Sequence, residues 1–310
     1  MQKILLIIFI CLISLNNFSN ISAKMYKTGE TFEKEIKFTT KFVLPLSEGK
    51  WQVVDRYSYF YYFPFKGNAI ARLENNELME LIWVEKASLA GEAMGAIDQA
   101  VNEIIFKNKY DGCYERPEYY LVEVFSRGGT HNCMVINHLD TKKELFTPDD
   151  PETTYGQLKK WLIEESIIIP PISFDSFHSY FSRLNKGEWY VVQYMANPKI
   201  FNSPKINYIS EEGSEFNKAN IDRFPEHKIT MEKWISISAK RHQYLEKLFN
   251  SKEHHLLNLD KYILEIDIDK TKATGNNKTL IEDLKNLNEL YRSGAITKEE
   301  FEKAKEKILN

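Results

Sequence analysis

Between residues 35 and 85 hydrophobic and polar positions alternate with a period of about two, the spacing of strands that bury one face. One run covers residues 37–44 and ends at Pro45. Gly49 then precedes a second, which carries Trp51, Val53, Val54 and Tyr57. Residues 69–73 and 78–84 read as a hairpin turning at Asn75 and Asn76, residues that tolerate the left-handed backbone of a tight turn. The dense stretch Tyr57, Tyr59, Phe60, Tyr61, Tyr62, Phe63 and Phe65 is expected to be core rather than a ligand platform, because aromatics flanking a sheet usually fill it.

At residue 88 the period changes. Ala93, Ile97, Ala100, Val101, Ile104 and Ile105 recur at helical spacing and predict a helix over 88–107 with one apolar face. Strand character returns at 119–125. Gly128 and Gly129 supply a turn, and Cys133 begins the return strand; a turn centred on Arg127 and Gly128 puts Cys133 opposite Val122. A polar turn at 147–151 leads to a second helix striped by Leu158, Trp161 and Leu162, with Thr153 or Thr154 as its cap. Pro170 and Pro171 interrupt the pattern without a shift in composition, so one domain is carried across them. Phe174, Phe177, Tyr180, Phe181 and Leu184 alternate loosely, and residues 189–195 form a clear strand closed by Asn197 and Pro198. Residues 197–228 are irregular and expected to cover one edge of the sheet. A third helix is predicted over 230–249, started at Thr230, with Trp234, Ile237, Tyr244, Leu245 and Leu248 on its buried side. Strands and helices that do not alternate as βαβ units predict an α+β fold, a mostly antiparallel sheet with about three packing helices. Residues 46–54 and 184–192 share a Gly turn before Trp-x-Val-Val, an echo read as coincidence because most hairpins carry Gly before β-formers.

Composition and charge narrow the picture. With 310 residues the chain can bury a sizeable core, and a net charge of −3 from interspersed residues gives no electrostatic footprint for nucleic acid. Residues 1–23 differ from the rest. Lys3, an apolar run over 4–15 and the small residue Ala23 read as a cleaved secretory signal, which leaves no stable membrane span and a periplasmic or secreted chain; the alternative is an uncleaved anchor, for which the run is short of the roughly 20 residues a span needs. Export changes the meaning of Cys113 and Cys133, which in an oxidising compartment are expected to form a disulfide closing a loop of about twenty residues and contributing roughly 3 kcal/mol.

Local catalytic signatures such as HExxH, GxSxG and GxGxxG do not occur. A thiol hydrolase using Cys133 with His131 or His138 is conceivable, since His131 shares a strand face with Cys133, but the partner Cys113 consumes that thiol. Asp111 and Glu115 beside Arg116 are read as exposed loop charges, and the seven histidines, His254 and His255 included, as surface residues. No metal site or cofactor is expected. Asp267 and Asp269 fail as an EF-hand start, because Lys272 stands where that loop needs Gly and Lys278 where it needs Glu.

After the main domain, 24–255, a polar linker over 266–279 precedes a compact signal. Leu280, Leu284, Leu287 and Tyr291 recur at helical spacing, Ser293 and Gly294 stop the helix, and Thr297 with Glu300 forms a capping box for a second helix bearing Phe301 and Ile308. LIEDLKNLNELYRSGAITKEEFEKAKEKIL, residues 280–309, resembles the short C-terminal domain family, SHOCT. That resemblance implies an interaction or oligomerisation module and no catalysis. Two helices of this length cannot offset their own chain entropy, so the stripe of Leu280, Leu284, Leu287, Tyr291, Ile296, Phe301 and Ile308 must meet another surface. A second copy, giving a homo-oligomer, a protein partner, or the chain's own body are the possibilities, the first favoured. Residues 35–251 resemble uncharacterised exported proteobacterial proteins with a paired cysteine. The expected function is an exported, non-catalytic binding or assembly protein; the alternative is a periplasmic hydrolase-type enzyme whose site is dispersed in the main domain.

Overall fold

The computed structural model describes residues 25–39, 42–61, 63–88, 105–107, 109, 111–127, 130–146, 156–182, 188–207, 210–250 and 280–309. The expected signal segment, the linker, His254 and His255, most of the helix expected over 88–107, and Thr153 and Thr154 lie outside them.

An eight-stranded antiparallel sheet dominates, and the fold is α+β. Its strands are β1 (Thr31–Phe32), β4 (Trp51–Tyr61), β5 (Phe63–Glu74), β6 (Glu77–Ser88), β7 (Leu121–Arg127), β8 (Thr130–Asp140), β9 (Ile172–Ser182) and β10 (Glu188–Ala196), in the order β1-β4-β5-β6-β10-β9-β8-β7. Two meanders of sequential hairpins therefore meet where β6 pairs with β10, Val84 opposite Val192. The expected turn at Asn75 and Asn76 is present, both at positive φ. Two readings change. The run 37–44 is not one strand: β2 (Glu35–Lys37) folds back on β3 (Val43–Pro45) as a separate two-stranded sheet. Cys133 pairs with Val124, not Val122, because Arg127 already pairs with Thr130 and only 128 and 129 lie between them. The two Trp-x-Val-Val segments occupy unlike places, β4 beside the edge strand β1 and β10 at the sheet centre.

Alternation along the strands sorts the side chains into two layers. On one face Ile70, Val84, Met134, Phe174, Val192 and Tyr194 meet the long helix α3 (Pro225–Asn250) through Trp234, Ile237 and Leu245. This helix starts five residues before Thr230, with Pro225 in the first turn, where its missing N–H costs nothing. Thr230 is instead inside the helix, its hydroxyl donating to the Glu226 carbonyl. The irregular segment after β10 does not stop at an edge; Phe201 and Phe216 pack against Phe174 in the same layer. On the opposite face Val54, Ala69, Leu81, Trp83 and Met195 are covered by α1 (Thr141–Phe146) and α2 (Gly156–Glu164) through Leu145, Leu158 and Leu162. A bulge between Val53 and Asp55 turns Asp55 toward α2, where its buried carboxylate accepts from the Leu158 N–H at 3.1 Å and satisfies a first-turn donor of the helix.

The aromatic stretch divides between core and surface. Tyr57 and Phe65 are buried, but Phe60 is 76% exposed near the end of β4. Tyr57 and Tyr59 both donate to Glu85, at 2.8 and 2.6 Å. The Tyr57 ring lies over its cross-strand partner Gly67 so closely that a Cβ there would sit 2.5 Å from Cζ. Gly67→Ala is expected to destabilise the chain by roughly 2–4 kcal/mol, combining overpacking with loss of the Glu85 contact. Urea denaturation checks this; a cost below about 0.5 kcal/mol would mean that the ring moves aside freely.

Beyond the body, α4 (Leu280–Arg292) and α5 (Lys298–Leu309) form the expected C-terminal hairpin. Gly294 adopts positive φ after the first helix, and Thr297 and Glu300 exchange the two hydrogen bonds of a capping box. The stripe is not free. Leu284, Leu287, Phe301 and Leu309 are buried, and Leu284 and Leu309 join the α3-side core of the same chain. Tyr291 stacks between Phe125 of β7 and Phe301, at 5.8 and 4.6 Å. Ile296 and Ile308 are half-buried, and the Leu280 side chain lies outside the described residues. Asn288 Nδ2 donates to the Val122 carbonyl at 3.1 Å, so the hairpin also caps an outward-facing group of the edge strand β7.

Candidate functional site

Among the described residues, three of the polar clusters within the apolar layers bear on the site; the sequence pattern reads their histidines as surface residues and Asp111 as an exposed loop charge. Two clusters are closed. Under α3, His178 and His242 approach through their Nδ1 atoms at 3.1 Å, Tyr180 Oη lies 2.6 Å from His242 Nδ1, and Ser176 Oγ lies 3.1 Å from His178 Nε2. Burial holds both imidazoles well below the usual histidine range, with nearby cations adding to it. They are neutral, satisfied core residues. All five described histidines, His131, His138, His178, His227 and His242, are buried, which corrects the expectation of surface histidines. Each sits where a polar partner or an aromatic ring replaces water.

The second closed cluster joins the cysteines. Cys113 and Cys133 are disulfide-bonded with Cα atoms 6.2 Å apart, as expected. His131 lies on the Cys133 face of β8, whereas His138 points to the other face and meets the Glu211 carbonyl at 3.3 Å. Asp111 is not an exposed loop charge. It is buried with Oδ2 2.6 Å from His131 Nε2, while exposed Glu115 pairs with Arg292 of α4 at 3.3 Å.

The third cluster opens to solvent beside α1 as a cleft of about 350 Å3, on the same sheet face that α1 and α2 cover in part. Its floor crosses three strands. Asn137 of β8 stands opposite Asp175 of β9, and Gln193 of β10 donates through Nε2 to Asp175 Oδ1 at 2.9 Å. Val135, Leu139 and Phe177 supply the apolar part. Asn137 Oδ1 is buried without a hydrogen-bond partner. Asp175 is only 5% exposed, and burial pushes its carboxyl up to about 8, against the opposing pull of the Gln193 hydrogen bond. It is therefore mainly neutral at pH 7. The rim is acidic: Glu118, Asp140, Glu144 and Glu211, with Asp111 at one wall, face Arg116 and Lys143. Burial also raises Glu211, partly offset by Lys143 at 3.8 Å.

Sequence reasoning missed this floor because Asp175, Ser176, His178 and Ser179 blur the period of β9. A carboxylate in the middle of an otherwise aromatic strand was the available signal. Desolvation and a polar convergence in a cleft are the physical marks of a binding or reactive site.

The hairpin, too, has polar contacts with the body. Lys305 Nζ lies 2.6 Å from Glu123 Oε2 with both side chains buried, and Lys298 reaches Glu246 of α3 at 3.1 Å. Burial pulls the Lys305 ammonium down, but Glu123, with Glu302 and Glu246 behind it, outweighs burial and leaves it raised. Residues 282–309 match the Short C-terminal domain, SHOCT. The SHOCT match spans the helix pair docked on α3 and β7, and marks it as a possible small interaction module. No curated protein and no solved structure matches the chain.

Proposed function

We propose that this chain is an exported, non-catalytic binding protein whose cleft takes a small cationic ligand with hydrogen-bonding amine groups. Its SHOCT hairpin is an interaction module held in reserve against the body. The observation that carries the reading is the neutral Asp175 beside the unpartnered Asn137 Oδ1, under a rim of carboxylates. An ammonium group offers donors to both floor residues, gains from the rim charge, and favours ionisation of Asp175. The buried Cys113–Cys133 bond, which braces the 111–119 loop that walls the cleft, supports an oxidising compartment, because such bonds persist mainly there. Exposed Leu290 leaves the SHOCT hairpin an outward apolar contact for a partner.

Calorimetric titration of the oxidised full chain with primary diamines and basic amino acids tests this. Binding that draws a proton from Asp175 is expected to strengthen by up to about a hundredfold between pH 6 and pH 9, with close to one proton released per ligand near pH 7. Affinity that is flat with pH, or absence of binding across the panel, would remove the reading. One observation favours the enzyme alternative: a neutral carboxyl near ionised ones has the protonation state a general acid needs. Under that reading Asp175→Asn abolishes turnover of a substrate it still binds.

A further inference from the structure

Asp111, Cys113, His131 and Cys133 offer one ligand atom each, two sulfurs, an imidazole nitrogen and a carboxylate oxygen, all within 4.8 Å of one another and all buried. We propose that these four residues form a tetrahedral zinc site in the reduced chain, so that the position now closed by a disulfide has a second, metal-bound state.

The donor set comes first. Two thiolates, one imidazole and one carboxylate suit Zn2+, which prefers four ligands of N, S and O type in a closed site. At metal–ligand distances of about 2.0–2.3 Å, the ligand atoms of one tetrahedral ion stand roughly 3.3–3.8 Å apart. Two thiol sulfurs released from a disulfide must separate to about that spacing, so reduction itself moves them toward it.

The second observation is the pairing of His131 and Asp111. Nε2 and Oδ2 approach to 2.6 Å, yet neither is aligned in a hydrogen bond, and Nδ1 is also buried without a partner. Buried polar atoms are seldom left so. An ion between Nε2 and Oδ2 gives both lone pairs a common target. The surroundings fix the ligands as a metal site requires. The Phe106 ring lies flat on the imidazole, with centroids 3.8 Å apart and planes 5° from parallel, and the Cys113 N–H donates to Asp111 Oδ1 at 3.4 Å. Val122 and Val135 keep the sulfur side dry. Asp111 and Gly112 also line the solvent-open cleft, which gives an ion a route in.

The redox step is a thiol–disulfide exchange. A dithiol reductant transfers two electrons and two protons to the Cys113–Cys133 bond, closing to its own disulfide and leaving two thiols. Zn2+ then displaces both thiol protons as the two Zn–S bonds form.

Cobalt is the probe, because tetrahedral Co2+ reports its own ligands. The full chain, reduced with a dithiol that is then removed without air, is titrated with Co2+ and then Zn2+, beside the oxidised chain. The expected result is about one Co2+ per reduced chain, intense tetrahedral d–d bands with thiolate charge transfer, displacement by Zn2+, and none of this in the oxidised chain. His131→Gln and Asp111→Asn are expected to weaken reduced-state binding at least tenfold. If the reduced chain unfolds alone, Zn2+ is expected to refold it, read by circular dichroism. Binding equal in both redox states, binding indifferent to His131→Gln and Asp111→Asn, or a reduced chain that neither folds nor binds with Zn2+ would each overturn the proposal. The amine titration uses the oxidised chain, so its outcome is independent of this one.

Discussion

Lys305→Met is expected to release the C-terminal hairpin from the body. The substitution leaves Glu123 buried at the hairpin seam without its cation, and removing one partner of a buried pair typically costs about 3–5 kcal/mol. A helix pair of this size gains only a few kcal/mol from its stripe, so the loss is comparable to what docks it. Hydrogen exchange is expected to show residues 280–309 losing protection while α3 and the central strands keep theirs. Pairing the change with Glu123→Leu removes the stranded carboxylate and is expected to restore protection, since a packed apolar pair can replace a buried ionic one. A hairpin that stays protected in Lys305→Met alone would show that the apolar contacts of Leu284, Leu309 and Tyr291 hold it unaided. Release also exposes the stripe that the sequence pattern offered to a second copy, so the same variant is the one in which self-association is expected to appear.

The second large effect is expected at Asp175. Its folded carboxyl titrates near 8, whereas in an unfolded chain it titrates near the ordinary value of about 3.9. The folded-state value is raised, so the native chain holds a proton that the unfolded chain releases. This contribution to stability is fully present below about pH 4, declines by about 1.4 kcal/mol per pH unit above it, and is exhausted as the pH passes 8. Asp175→Asn keeps a neutral group of the same shape and does not titrate. Relative to wild type, the variant is expected to gain on the order of 3–5 kcal/mol between pH 4.5 and 8.5 in urea denaturation. Asp55, Glu85 and Glu211 are raised by burial too, but both chains contain them and the difference isolates Asp175. Parallel stability curves would mean that water reaches the floor of the cleft.

Local chemistry made much of the architecture legible. The Asn75–Asn76 turn, the disulfide pair and the Thr297 capping box each depend on residues near in sequence or on a strong pairwise rule, and the structure contains all three. What could not be read depends on lateral neighbours. Gln193 meets Asp175 only because β9 and β10 pair in one register, and His131 meets Asp111 only because the loop before β7 folds back over the sheet. The hairpin shows the same limit. Its stripe was plain, but the surface that covers it was set by the edge strand β7 and by Glu123, a single charge inside the otherwise apolar run 119–125 that reads simply as strand.

The most direct test follows the carboxyl carbon of Asp175 by NMR across pH 3 to 10, first in the oxidised chain alone and then with a saturating diamine. A midpoint near 8 in the free chain, moving down when the diamine is present, is the predicted result. A midpoint near 4 in the free chain, unchanged by the amine, would contradict a neutral floor and with it the ligand chemistry assigned to the cleft.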